Sequence, residues 1–121
     1  MDASEKKKSP HDERRKRVRE KFSQTQMAYF HDHEKLEMLL FYAIPRGDTN
    51  EIGHALIERF GSISGVFDAD YKSLLEVGGV GPNAAMLIGV VGSLIQAYHD
   101  DYALFRYSTI RTTAEAKDFM R

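Results

Sequence analysis

Apolar residues at Leu36, Leu39, Leu40 and Ala43 keep the i, i+3, i+4, i+7 spacing of one buried helical face. They predict a helix over 33–43, with Asp32 as its N-cap. Ile44 stands before Pro45, where helical geometry is disfavoured, so Pro45-Arg46-Gly47 reads as a turn. Asp48, with Glu51 three residues on, opens the next helix as a variant capping box. Ile52, Ala55, Leu56 and Phe60 form its core stripe, and Gly61 stops it. A helical turn over 62–67 follows, then a helix capped by Asp70 with Leu74, Leu75 and Val77 as its apolar contacts. The chain next reads Gly78-Gly79-Val80-Gly81-Pro82: three glycines in four residues end that helix and permit positive φ. If Gly81 takes a positive φ, a β-branched side chain there is strained. Pro82 suits the first position of a new helix. That helix is apolar on two sides, one with Ala84, Ile88, Val91, Ile95 and Tyr98, the other with Leu87, Val90, Leu94 and Ala97. Such a helix is expected at the centre of its domain.

The flanks are less regular. Ser9-Pro10 reads as an N-cap and first helical residue of a charged helix reaching about Phe22. Val18 and Phe22 are its only strong apolar pair, so it is expected to dock weakly. Phe105–Ile110 reads as a strand, and Thr112 with Glu115 as a capping box before 116–120. The chain closes on that fresh element, which points to a longer parent. No segment over 10–103 alternates with period two, so the fold class is all-α. The expected organisation is a disordered basic tail over 1–10, a helical domain over 11–105, and the truncated start of a second domain over 106–121.

Composition alters this little: 42% hydrophobic and 29% charged residues among 121 are ordinary for a globular domain. The absence of cysteine excludes a disulfide framework, a thiolate metal site and a cysteine nucleophile. With no long apolar run and no apolar leader, neither a membrane span nor a secretory signal is predicted, and the expected location is cytoplasmic. Charge matters more. Residues 1–21 carry net +4 and the remainder net −5, a basic arm on an acidic body. The arm is either a solvated leader or a contact for nucleic acid or another acidic surface.

The pattern Leu74-Leu75-Glu76-Val77-Gly78-Gly79-Val80-Gly81-Pro82-Asn83-Ala84-Ala85 is helix, tight glycine turn, helix: a helix-hairpin-helix. Amides of Gly79, Gly81, Asn83 and Ala84 are placed to meet a phosphate at the start of the second helix, with Arg14, Arg15, Arg17 and Arg19 adding charge. The same hairpin also serves as plain packing. Between Lys72 and Arg106 there is no lysine or arginine, so any contact made here neutralises few phosphates. Gly79-x-Gly81-x-x-Ala84 is not a dinucleotide fingerprint, because a helix rather than a strand precedes it. His31-Asp32-His33 lacks a third ligand cluster and reads as polar residues on the surface rather than a zinc site. His54 reads as a partly buried structural histidine, and His99 with Asp100-Asp101 as a solvated helix end. No nucleophile elbow, P-loop or zincin motif occurs, and catalysis by these residues is not expected. Leu39-Leu40, the Pro45–Gly47 turn and the helix to Phe60 faintly mirror Leu74-Leu75, the glycine turn and the helix to Tyr98, as two pseudo-two-fold hairpins would, or by chance.

The stretch Glu34-Lys35-Leu36-Glu37-Met38-Leu39-Leu40-Phe41-Tyr42-Ala43-Ile44-Pro45-Arg46-Gly47-Asp48-Thr49-Asn50 resembles the signature of bacterial RadC-type proteins, the UPF0758 family. Leu56-Ile57-Glu58-Arg59-Phe60-Gly61-Ser62, the glycine hairpin and the basic segment Arg14 to Phe22 keep the family's order, and the resemblance spans about 11–103. It implies a helix-hairpin-helix domain similar to domain 2 of RuvA-type DNA-binding proteins. It also implies a later JAB/MPN domain, metallopeptidase-like, whose zinc ligands lie in a His-x-His and Asp motif beyond this chain. No metal or catalytic residue carries over to this fragment. The implied function is weak, non-specific nucleic-acid binding as an accessory domain of a DNA-repair-type protein, with DNA and its own JAB/MPN domain as partners. The alternative is an interaction or regulatory module for that domain, without nucleic acid.

Overall fold

The computed structural model describes residues 9–119, and their side chains as far as 110. Of the expected tail over 1–10, residues 1–8 lie outside the described residues, while Ser9 and Pro10 cap and open the first helix. Six helices follow in order: α1 (Pro10–Thr25), α2 (Asp32–Leu40), α3 (Thr49–Phe60), α4 (Ile63–Asp68), α5 (Tyr71–Leu75) and α6 (Pro82–Phe119). Among the described residues there is no strand, and no helix is long and apolar enough to cross a membrane. The fold is all-α: α2 and α3 pack as a helical pair, and α5 leads through the glycine turn into α6.

Local chemistry sets most of the helix ends. Asp48 accepts from the Glu51 amide at 3.1 Å, and Asp70 from the Ser73 amide at 2.8 Å. Ser9 and Asp12 cap α1 reciprocally, and Gly61 ends α3 at φ +86°. Asp32 is not the cap of α2. His31 holds that position, because the Glu34 carboxylate reaches back to the His31 amide at 3.1 Å. At its other end α2 tightens before Ile44-Pro45: the amides of Tyr42 and Ala43 donate three residues back, to Leu39 and Leu40.

The chain divides into two compact units, residues 1–89 and 90–121. In the first, Leu36, Leu40, Leu56, Val66, Leu74, Val77, Val80, Ala84, Ala85 and Ile88 make one core drawn from α2–α6 and the glycine turn. A second cluster of Val18, Phe30, Met38 and Phe41, with Phe22 against it, fastens α1. The weak docking expected of α1 is thus corrected: its two inward apolar residues meet a second apolar face of α2.

Two expectations for the C-terminal part are also overturned. α6 is central only through Ala84, Ala85 and Ile88, and every residue from Ser93 to Ile110 is exposed. Phe105–Ile110 is helix, not strand. No glycine or proline occurs after Gly92 to stop α6, and Thr109 Oγ1 donates back to the Phe105 carbonyl at 3.0 Å. Thr112 falls inside the same helix, so no new helix starts there; its side chain lies outside the described ones.

Candidate nucleic-acid interface

The glycine turn is anchored by its apolar residues. Val77 and Val80 are buried, and their amides close successive turns on the carbonyls of Leu74 and Val77 at 3.1 Å each. Gly78 and Gly79 face outward. Gly79 alone of the three glycines has positive φ, +88°, and Gly81 does not, so the strain expected at Gly81 belongs at Gly79. Among the proposed phosphate donors, Gly79 and Asn83 are exposed and Gly81 is half-buried. Ala84 is 1% exposed, which closes its amide to an outside phosphate.

The surroundings of this turn are acidic. A groove of about 480 Å³ is lined by Asp48, Glu51, Ile52, Ala55, Gly78 and Gly79. The start of α3 therefore sets two carboxylates beside the glycine turn, where they repel an incoming phosphate. Sequence reading assigned both residues to capping and missed this second consequence.

The four arginines of α1 divide into two pairs. Arg14 donates from Nε and Nη2 to both oxygens of Glu37, at 2.6 and 2.8 Å, and Asn50 Nδ2 adds a third bond to that carboxylate at 3.0 Å. Glu37 is 1% exposed, and its bond holds the Arg14 guanidinium even further above neutrality than usual, against the opposing effect of burial. Arg15 is 7% exposed, lies 4.9 Å over the Phe41 ring and donates to the Gly47 carbonyl at 3.3 Å. These two expected nucleic-acid contacts hold the protein together instead. Arg17 and Arg19 are exposed, as is Lys16, which sequence reading left out of the site. A groove of about 290 Å³ is lined by Asp12, Arg15, Lys16 and Arg19. Arg15 connects it to the first hairpin's turn through Gly47, and the next residue, Asp48, lines the groove of Gly78 and Gly79. Basic helix and both turns are therefore contiguous.

A histidine cluster lies elsewhere on the same unit. Phe30, His31, Asp32, His33, His54, Ile57 and Glu58 line a groove of about 570 Å³. His33 stacks on His54 at 3.7 Å between ring centres and lies 5.7 Å from His31. This contact exists because α3 crosses α2 at Gly53, where a Cβ atom would stand 2.6 Å from the His33 carbonyl oxygen. The three rings do not converge: among the described residues no three histidine or carboxylate side chains are arranged to hold a metal. Burial, then His54, lowers the His33 pKa, against the pull of Glu34 and Glu37. A histidine depressed in the folded state binds fewer protons there than in the unfolded chain. Its stabilising share is present above the ordinary histidine pKa of about 6.5 and is lost as the pH falls from there through the lower folded-state value. Urea midpoints are thus expected to fall between pH 7.5 and 5.5, and to fall less in His33→Phe; equal slopes would contradict the assignment.

No protein-family model and no solved structure matches the chain. Among curated proteins, the UPF0758 protein FN0909 of Fusobacterium nucleatum subsp. nucleatum is 37% identical over 87 residues, 72% of this chain. The chain spans 38% of that relative's length.

Proposed function

This chain belongs to the UPF0758 family, and on that premise we propose that it is an accessory domain binding nucleic acid weakly and without sequence preference. The observation that carries the reading is the set of exposed cations Lys16, Arg17 and Arg19, the last 5.7 Å from the Phe41 ring, on a helix pinned by Arg14 and Glu37 and contiguous with two turns. Phosphate contacts fall to those cations. The exposed amides of Gly79 and Asn83, with Gly81 at their edge, dock backbone where the carboxylates of Asp48 and Glu51 allow. Arg14 and Arg15 act indirectly, by fixing α1. The whole protein, on the family resemblance, adds a JAB/MPN metallopeptidase-like domain in the cytoplasm, and the zinc belongs there. Among the described residues no three histidine or carboxylate side chains are placed to hold that metal, and the role proposed for this part is binding.

Fluorescence anisotropy with short duplex and branched DNA tests the reading. Each phosphate contact contributes about 0.9 to the slope of log affinity against log salt. Lys16→Gln/Arg17→Gln/Arg19→Gln is expected to flatten that slope by up to about 2.7 and remove most binding. Asp48→Asn/Glu51→Gln, which keeps a capping side chain at position 48, is expected to tighten binding several-fold. No binding at high micromolar protein in about 50 mM salt, where non-specific complexes are strongest, would overturn the proposal.

A further inference from the structure

Beyond Gly89 the described part of α6 exposes Leu94, Tyr98, Leu104, Phe105 and Tyr107 to between 62% and 67%. A solvated helix seldom carries so many large apolar side chains without a partner. Of these, Tyr98 and Phe105 belong to a regular repeat, and it says which partner. Ala84, Ile88, Val91, Ile95, Tyr98, Tyr102 and Phe105 alternate steps of four and three residues, the repeat that winds two helices together as a left-handed coiled coil. All seven are apolar or aromatic, and the first two are already buried in the core of the first unit. Tyr98 and Tyr102 stack at 6.0 Å on that one face, while the polar pair Gln96–Asp100, bonded at 2.9 Å, falls outside the seam. The competing stripe through Leu87, Leu94 and Ala97 runs into Asp101.

Charge selects direction. With Ile95 and Tyr102 at position a and Tyr98 and Phe105 at d, Asp101 occupies g and Arg106 the following e. In a parallel two-stranded coil, g of one chain faces e five residues on in the other, so Asp101 meets Arg106 of a second copy in both directions. Area agrees. Three aromatic rings of roughly 150–250 Å² each, about half to two-thirds exposed, with Ile95 and Leu94 beside them, offer on the order of 500 Å² per copy. Doubling that reaches the roughly 1,000 Å² a specific interface needs. We propose that residues 91–106 pair with the same segment of a second copy of this chain as a parallel, in-register coiled coil.

The absence of cysteine makes the test clean. Light scattering of the 121-residue chain over a concentration series is expected to approach twice its 13.8 kDa mass. Tyr98→Glu is expected to give a monomer whose circular-dichroism melt matches the parent at low concentration, because Tyr98 lies outside the core. Asp101→Arg or Arg106→Asp should weaken the dimer at least tenfold, and the double exchange should restore it. Ile95→Cys and Tyr102→Cys, each alone, should cross-link through a short bifunctional maleimide. An antiparallel pair satisfies only one of these sites, so cross-linking at one alone overturns the parallel register. A monomer at every concentration, the outcome if another protein covers the face, overturns the proposal, as does a dimer indifferent to Tyr98→Glu.

Discussion

Arg14→Ala is expected to cost about 3 kcal/mol of folding stability, although Arg14 is drawn from a run of surface-type charges. The reason lies in what it leaves behind. Glu37 is 1% exposed and takes two of its three bonds from Arg14. Removing one partner of a buried pair strands the other charge, at about 3–5 kcal/mol in well-buried cases. The lower end applies because the Arg14 side chain is 38% exposed, so water reaches the gap, and because Asn50 keeps its bond at 3.0 Å. Arg14→Lys keeps the charge without the two-pronged geometry and should fall between parent and alanine variant. Arg14→Ala/Glu37→Gln leaves no buried charge and should recover most of the loss. Urea unfolding of the four proteins checks this. An alanine variant within about 0.5 kcal/mol of the parent, the scatter of ordinary surface changes, would show that the pair is a solvated contact.

This pair also marks where the sequence stops being readable. The capping interactions Ser9–Asp12, Asp48–Glu51 and Asp70–Ser73 are legible because donor and acceptor lie three residues apart. The stripe Leu36–Leu40 is legible because it repeats with the helix. Arg14 and Glu37 are 23 residues apart, and nothing in either neighbourhood names the other. A trace was present: Met38 and Phe41 give α2 a second apolar edge, which needs a partner such as Val18, Phe22 and Phe30. Once that face is recognised, α1 has to dock, and some of its arginines have to pass over buried groups. His33 and His54 met only through the crossing at Gly53, so neither looked notable alone. Over 105–110 the sequence reads as a strand, but helix continuation from an uninterrupted α6 prevails. In each case the missing information was the identity of a distant or successive neighbour, which periodicity does not encode.

Gly79→Val is expected to cost about 2–3 kcal/mol, and Gly81→Val much less, reversing the order suggested by the glycine pattern alone. Gly79 sits at φ +88°, a region where a β-branched residue is strained. A Cβ there would also lie 2.7 Å from Cδ1 and 2.8 Å from Cγ1 of Ile52. That side chain can rotate, so the contact adds to the backbone strain rather than doubling it. Gly81 lacks positive φ, and its Cβ would meet nothing within 4 Å. Alanine tests the order of the two positions: at Gly81 it should be near neutral, while at Gly79 it retains both the strained backbone and the contact with Ile52. Gly79→Ala combined with Ile52→Ala removes both contacts, and whatever loss it shows beyond Ile52→Ala alone measures backbone strain. The function responds through the same geometry. A displaced turn moves the Gly79 amide away from any phosphate but leaves Lys16, Arg17 and Arg19 untouched, so DNA affinity should drop with an almost unchanged salt slope. Thermal melts paired with anisotropy titrations decide the matter. Equal stability losses at positions 79 and 81 would refute the assignment of the strained turn residue. A full-strength DNA complex from folded Gly79→Val would show that binding is carried by α1 alone.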